Sequence, residues 1–333
     1  MPIVSQALTP ADLPPPPPQQ LGWCWTEGTA IPYEPTAPLP RISIIIPSYN
    51  QGRFIEETIR SVLLQAYPNL ELIVMDGGST DTTMEIIQRY DSFIHKWVSE
   101  PDRGQSHAVN KGIQQATGDL IGWQNSDDIY QPGTFWRMAA AAVASPDADV
   151  FFGEVRAINE QGQVLLTYPV GEFDPHDLLP WPTNLFNQGM FIRKLVFDRI
   201  GLIDETYHHC MDYDLFWRMV IAGCRFQFVP GIAAHFRHHY QSKGATQHDV
   251  ADREFWQLYK RVYTCQTLPT SLRVKALTCL QSACLRDYAC QRRSLFRQHV
   301  AELFSLAGIR GLTPMIVAKL LIDRLRPISL NSD

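Results

Sequence analysis

Between residues 41 and 125, short apolar runs alternate with stretches in which apolar positions recur every three or four residues. The run at 42–47 precedes a helical spacing over 54–64, the run at 70–75 precedes one over 82–90, the run at 96–99 precedes one over 106–116, and 120–124 closes the series. Strands alternating with helices predict βαβ units and a mostly parallel sheet. In such sheets ligands bind beyond the carboxyl ends of the strands. Those ends are Pro47-Ser48-Tyr49-Asn50, the segment from Asp76 to Asp81, Glu100-Pro101-Asp102-Arg103-Gly104, and Asn125-Ser126-Asp127-Asp128. Four polar strand ends are therefore expected on one rim.

After residue 149 the pattern turns more strand-like, at 150–153, 155–159 and 164–168, with Gln161-Gly162 as a turn. These runs predict mixed or antiparallel additions to the sheet. A helix is expected over 212–222, where Leu215, Met219 and Ala222 share one face and Gly223 follows as C-cap. A strand is expected at 226–229, then helices near 252–264, 270–290, 291–306 and 313–325. Residues 1–40 hold the proline run 14–18 and prolines 32, 35, 38 and 40, which favours an extended, partly disordered leader. Trp23 and Trp25 are apolar anchors by which part of that leader packs back. The chain thus divides into a leader (1–40), an α/β domain (41–250) and a helical extension (251–333).

Composition narrows the class. With 333 residues, 45% of them hydrophobic, the chain can bury a full core. Of 29 basic and 34 acidic residues, ten basic and four acidic ones fall within 270–333, so the surplus of positive charge lies in the extension. No charged start with a long apolar core opens the chain, and no apolar run approaches the roughly 18 residues of a spanning helix, so a cytoplasmic protein is expected. Seven scattered cysteines without a CxxC pair argue against a disulfide framework or a zinc site.

The candidate chemistry is acidic. No glycine-rich dinucleotide fingerprint or Walker loop follows the first strand, so a nucleotide would be held by carboxylates and a cation. Adjacent Asp127 and Asp128 repel unless a hard cation or hydrogen-bond donors compensate them, and such a cation often shares carboxylates with a substrate phosphate. A solvated turn is the plain alternative. Asp76 ends a buried strand, where a carboxylate can accept from a nucleobase imide or a ribose hydroxyl; Asp81 reads as a helix cap. Asp212 and Asp214 open a helix, where capping competes with catalysis. His235, His238 and His239 follow a strand, and each is either a metal ligand or a surface residue.

Together these stretches resemble family 2 glycosyltransferases of the GT-A fold. The resemblance is carried by Ile44-Ile-Ile-Pro-Ser-Tyr-Asn50, Asp76-Gly-Gly-Ser-Thr-Asp81, Ser99-Glu-Pro-Asp-Arg-Gly104 with Ala108, Asn110 and Gly112, and Asn125-Ser-Asp-Asp128. It continues through Asn187-Gln-Gly-Met-Phe-Ile-Arg193, Gly201-Leu-Ile-Asp-Glu205, Asp212-Tyr-Asp-Leu215 and Phe236-Arg-His-His239. Each motif alone is loose, but eight in order over 41–244 are specific. The resemblance implies a GT-A, Rossmann-like, mostly parallel mixed sheet flanked by helices, and an inverting transfer of sugar from a nucleoside diphosphate, UDP by default, to an acceptor hydroxyl. Polysaccharide or glycoconjugate synthesis on a glycan or lipid-linked acceptor would be its setting.

Residue by residue, the resemblance gives the nucleoside to Pro47, Ser48, Tyr49 and Asp76, with Asp102 and Arg103 bordering the base. It gives Asp127 to the ribose or sugar, and Asp128 with His239 to a Mg²⁺ or Mn²⁺ bridging the diphosphate. It gives the general base to Asp212. The family often has Asp where Asn125 stands and Glu where Met211 stands. Gln188 and Trp181 suit the acceptor side, where amides and aromatic faces meet sugar rings, and packing explains both equally well. A cation would neutralise the departing diphosphate, and a carboxylate would take the acceptor proton.

Two other functions compete. A sugar-nucleotide pyrophosphorylase should open with a glycine-rich basic loop, which Pro47-Ser48-Tyr49-Asn50 is not. A binding module without turnover would not need Asp128 and Asp212. In the extension, Ile309, Leu312, Ile316 and Leu320 alternate with Arg310, Lys319, Arg324 and Arg326, a pattern suiting either an anionic membrane surface or an ordinary packed helix. No feature points to nucleic acid.

Overall fold

The computed structural model describes residues 7–31, 38–168, 171–180, 185–240, 242 and 248–325. They form two compact units, divided after Gln247.

The first unit is built on one sheet. Its strands are β1 (Ile42–Ser48), β2 (Leu70–Asp76), β3 (Lys96–Ser99), β4 (Leu120–Trp123), β5 (Ile129–Tyr130), β6 (Val150–Ile158), β7 (Val164–Thr167), β8 (Met190–Arg193) and β9 (Phe226–Arg237). The order is β3-β2-β1-β4-β8-β6-β9-β5, with β7 beside β6. The stretch β3-β2-β1-β4 is parallel throughout. Every residue of β1 and β2 is buried, as expected of central strands covered on both faces. Intervening helices are α1 (Ile55–Leu63), α2 (Thr83–Arg89) and α3 (Gln105–Gln115), followed by α4 (Thr134–Ala144), α5 (Lys194–Ile200) and α6 (Met211–Ile221).

The chain runs outward from β1 to β3 and then returns to place β4 on the other side of β1. This reversal opens a crevice beyond the carboxyl ends of β1 and β4, the expected ligand position in an open α/β sheet. The later strands mix directions: β8 is antiparallel to β4 and β6, while β9 is parallel to β6. Two of these strands have no alternating apolar signal in sequence. β5 is two residues long, and β8 follows a loop. Strand β9 also runs eight residues beyond the apolar run 226–229, because pairing with β6 and β5 carries it through Pro230 and Gly231 to Arg237.

Part of the leader is tied to this unit by Arg60 of α1. Its guanidinium is fully buried and donates to the carbonyls of Pro14, Cys24 and Trp25 and to the Tyr90 hydroxyl, each at 2.8–2.9 Å. Trp23 Nε1 donates to the Tyr130 carbonyl. Residues 1–6 and 32–37, which also belong to the expected leader, lie outside the described residues.

The second unit contains α7 (His248–Thr264), α8 (Thr270–Ala289), α9 (Arg293–Ala307) and α10 (Pro314–Leu325). Trp256 stacks on His299 at 3.6 Å, His299 meets Asp287 at 2.7 Å, and Arg292 bridges Asp287 and Asp252. The surface of α10 differs from the expected stripe. Ile316 and Asp323 are buried, with Asp323 paired to Arg297, while Met315, Val317, Leu321 and Ile322 are exposed. No helix among the described residues is long and apolar enough to cross a membrane.

Candidate functional site

The crevice at the ends of β1 and β4 widens into a cleft of about 1180 Å³, lined by the loops after β1, β3 and β4, the turn before β8, the start of α6 and the chain after β9. Its volume exceeds the usual range for a small-ligand site. Pro47, Ser48, Tyr49 and Asp102 line it at one part, Asp127, His239 and Gln188 at another, and Asp212 also faces it.

At the nucleoside end, Ser48 is buried and its hydroxyl has no partner among the described residues, whereas Tyr49 is 60% exposed on the rim. Asp102 reaches the cleft across Gly77, where a Cβ would fall 2.7 Å from Asp102 Oδ2. Asp76 sits just beneath. Its Oδ2 accepts from the amides of Gly78 and Ser79 and from Ser99 Oγ, so it organises the turn, and it is Gly77 that lines the cleft. Asp81 accepts from the Thr83 and Gly52 amides and fastens the first loop to α2. Arg103 turns away to a forked pair with Glu205 at 2.6 and 3.1 Å, outside the cleft lining. Arg103 is expected from the sequence to border the base; in the structure a carboxylate of the Gly201–Glu205 segment takes its guanidinium.

The acidic pair separates by burial. Asp128 is fully buried and does not line the cleft. Its Oδ1 accepts from the Arg237 amide at 2.8 Å, and its Oδ2 from Gln188 Nε2 at 2.9 Å and Asn125 Nδ2 at 3.1 Å. Burial and the neighbouring Asp127 charge push its carboxyl well above the usual range. Asp127 lines the cleft and meets His239 Nε2 at 2.9 Å. Asp128 is thus enclosed by donors inside the fold, and Asp127 is the carboxylate of the pair that faces the cleft. Asn125 fits this arrangement, since an aspartate there could not donate to Asp128.

Arg237, two residues before the histidine of the same motif, holds this end together. Its side chain is 2% exposed and donates to the carbonyls of Asp127 and Glu160 and to Glu57 Oε2 at 2.7 Å. His239 packs against Phe54 with ring centroids 5.1 Å apart. His238 lines the cleft, and burial and His239 lower its pKa. His235 lies in β9 outside the lining, with its pKa lowered to about 4 by burial and the charges of Arg156 and Arg237.

At the start of α6 the two acids also part. Asp214 is fully buried and bonds Arg218 one turn later at 2.8 Å, while Asp212 is half-buried and lines the cleft. Met211, the departure from the resembled pattern, is buried with its sulfur 2.9 Å from Ser106 Oγ. Aromatic faces of Tyr168, Phe186 and Tyr213 line the same cleft, Tyr168 and Phe186 at 4.5 Å. Trp181 lies outside the described residues.

Among the described residues, no group of three or more His, Cys, Asp or Glu side chains is placed to hold a metal. Asp127 and His239 nevertheless fit a hard divalent cation. Mg²⁺ is ordinarily held by one or two carboxylates with the remaining positions filled by water and substrate phosphates, and imidazole suits Mn²⁺ as well.

Residues 43–197 match the family described as Glycosyl transferase family 2. A Rickettsia felis protein described as an uncharacterized glycosyltransferase is 27% identical over 231 residues, covering 66% of this chain and 38% of that protein. A Mycobacterium tuberculosis PGL/p-HBAD biosynthesis glycosyltransferase is 28% identical over 229 residues, covering 65% of this chain and 82% of that protein. The chain spans 38% and 59% of the first curated relatives it matches. Among solved structures, S. aureus TarS 1-349 in complex with UDP-GlcNAc superposes with a TM-score of 0.61 at 16% identity, over 85% of this chain and 88% of that one. The fold is thus the GT-A type that the strand order and crevice indicate.

Proposed function

From the premise that residues 43–197 are a family 2 glycosyltransferase domain, we propose that the chain transfers a sugar from a nucleoside diphosphate, UDP-linked, to an acceptor hydroxyl with inversion at the anomeric carbon. The observation that carries this is one cleft containing both the Asp127–His239 pair and the half-buried Asp212. The nucleoside lies against Pro47, Ser48 and Tyr49, with the orphan Ser48 hydroxyl as a hydrogen-bonding group and Asp102 at the border. Asp76 supports this end from beneath, through the turn that puts Gly77 on the cleft wall.

Asp127 and His239 would hold Mg²⁺ or Mn²⁺, which when bound would neutralise charge on the departing diphosphate. Asp212 orients the acceptor hydroxyl and accepts its proton. The acceptor oxygen bonds to the anomeric carbon as the carbon–oxygen bond to the diphosphate breaks, and the diphosphate leaves with the electron pair. Asp214 cannot serve as the base because Arg218 already holds it inside the fold. The aromatic faces of Tyr168, Phe186 and Tyr213 suit a glycan acceptor. The exposed apolar side of α10, together with the positive balance of the extension, supports peripheral contact with the inner face of a membrane carrying a lipid-linked acceptor.

The test is transfer from radiolabelled nucleotide sugars by wild type and Asp212→Asn. The variant should lose ~10²–10⁴ in turnover while keeping its affinity for the donor within about twofold. If both proteins were equally inert across UDP-, GDP- and dTDP-sugars with Mn²⁺, the catalytic reading would fail.

A further inference from the structure

The donor cleft contains two buried polar atoms that the reaction described above does not use. Asn187 and Gln188 form a single 3-10 turn, Asn187–Gly189, immediately before β8, and both side chains are buried and line the cleft. Asn187 Nδ2 and Gln188 Oε1 have no hydrogen-bond partner among the described residues. An unmet buried donor or acceptor costs about 1–3 kcal/mol, and such groups persist where something outside the protein completes them.

The turn is held in place from two sides. Gly189 lies so close to β6 that a Cβ would sit 2.9 Å from Val155 Cγ2 and 3.0 Å from the Gly153 carbonyl. Gln188 Nε2 is committed to Asp128 Oδ2 at 2.9 Å, which leaves its amide oxygen as the atom without a partner. One neutral donor and one neutral acceptor on successive residues complement a hydroxyl, which donates once and accepts twice. They do not complement a phosphate oxygen, which only accepts and would be repelled by Gln188 Oε1. Their position excludes the nucleoside as well. Gln188 is one hydrogen bond from Asp128, the peptide neighbour of Asp127, and so belongs to the diphosphate and transfer end of the cleft, not to the rim of Ser48 and Tyr49.

We propose that Asn187 and Gln188 form the subsite that reads a hydroxyl of the sugar being transferred, and so decide which nucleotide sugar is used. This rests on the donor reading above. Gln188 thereby has two tasks: its amide nitrogen holds Asp128, and its amide oxygen accepts from the sugar. Asn187 acts on the sugar alone and is the cleaner residue to alter. The nucleotide contributes its affinity through other residues, so the subsite affects the sugar-bearing ligand and not the bare diphosphate.

Calorimetric titrations with Mn²⁺ compare wild type, Asn187→Leu and the smaller Asn187→Ala against UDP, GDP and dTDP and the matching glucose, galactose and N-acetylglucosamine donors. Both variants should bind the preferred nucleoside diphosphate within about twofold of wild type and the preferred nucleotide sugar roughly 5- to 100-fold more weakly, the worth of one lost hydrogen bond in a buried site. A donor lacking the hydroxyl in question should bind all three proteins alike. Equal weakening of diphosphate and nucleotide sugar would assign Asn187 to the shape of the cleft and overturn the proposal. Unchanged affinity for every ligand would assign the orphan atoms to ordered water, with the same result. Wild type that binds no nucleotide or nucleotide sugar would instead remove the donor reading itself. Asn187→Ala removes the amide without adding bulk or charge and is the variant that decides if Asn187→Leu fails to fold.

Discussion

Replacing Arg237 with methionine tests whether the transfer end of the cleft is held from beneath by one buried guanidinium. The substitution removes donors to the carbonyls of Asp127 and Glu160 and leaves the Glu57 carboxylate, 2.7 Å away, without its cation. Breaking a buried pair by deleting one partner costs about 3–5 kcal/mol. The Glu57 side chain is 22% exposed, so water reaches the abandoned charge and the lower half of that range is expected, about 3–4 kcal/mol. For a unit of this size that corresponds to a fall in Tm of roughly 6–16 °C. The loss should depend on pH. Burial pushes the Glu57 carboxyl up, against the lowering effects of Arg237 and a hydrogen bond from Trp25. Ionised Glu57 therefore works against folding, a contribution absent below its unfolded pKa and growing as pH rises through the folded one. Without Arg237 the folded pKa climbs further, so the loss should be larger at pH 8 than at pH 5, and Glu57→Gln in the Arg237→Met background should recover part of it at pH 8. Urea denaturation of the three proteins between pH 5 and 8 measures this. Equal losses at both ends and no recovery by Glu57→Gln would refute the account.

Three further outcomes follow from the same geometry. Asp128 is pushed well above the usual carboxylate range, so its ionised form costs stability as pH rises; Asp128→Asn should gain on wild type between pH 5 and 8 in urea denaturation, and parallel curves would contradict the assigned burial cost. Gly189→Ala should destabilise by about 1–3 kcal/mol through overpacking, because the Gly153 carbonyl 3.0 Å from the new Cβ is backbone and cannot turn aside; thermal melting that matches wild type would show slack in the turn. On anionic vesicles, changing Met315 and Leu321 of α10 to serine, both more than half exposed, should reduce flotation several-fold with melting unchanged, and undiminished flotation would remove membrane contact through this face.

Much of the first unit is legible in sequence because it repeats one physical pattern. Buried parallel strands demand unbroken apolar runs, and β1, β2 and β4 each begin within a residue of where such a run begins. The later strands lack that signal for an equally physical reason. β5 is fixed by pairing Ile129 with His235 and Tyr130 with Ala234, and β8 by lying between β4 and β6, so their partners and not their own periodicity make them strands. The same holds for α10. Its apolar residues surround the helix, and only contact with α9 through Asp323 and Arg297 decides that Ile316 faces inward and Leu321 outward.

The acidic pair shows where alternation along a strand stops being informative. Neighbouring side chains on a strand point to opposite faces, which predicts that Asp127 and Asp128 differ in environment but not which of them faces the cleft. β4 ends at Trp123, and the four residues between it and Asp128 follow a turn closed by the Asp128 amide on the Asn125 carbonyl. Counting parity across that turn has no physical basis. What fixes the assignment is distant in sequence: the Arg237 amide and Gln188 draw Asp128 inward, and His239 meets Asp127 at the cleft. A single carboxylate enclosed by three neutral donors is poorly placed to bind a cation, since each donor would have to be broken as the ion enters. An Asp127 bonded to one imidazole loses little by exchanging it. The pair thus divides into an enclosed Asp128, to which Asn125 lends its amide, and a cleft-facing Asp127, the one that the proposed reading gives to the cation.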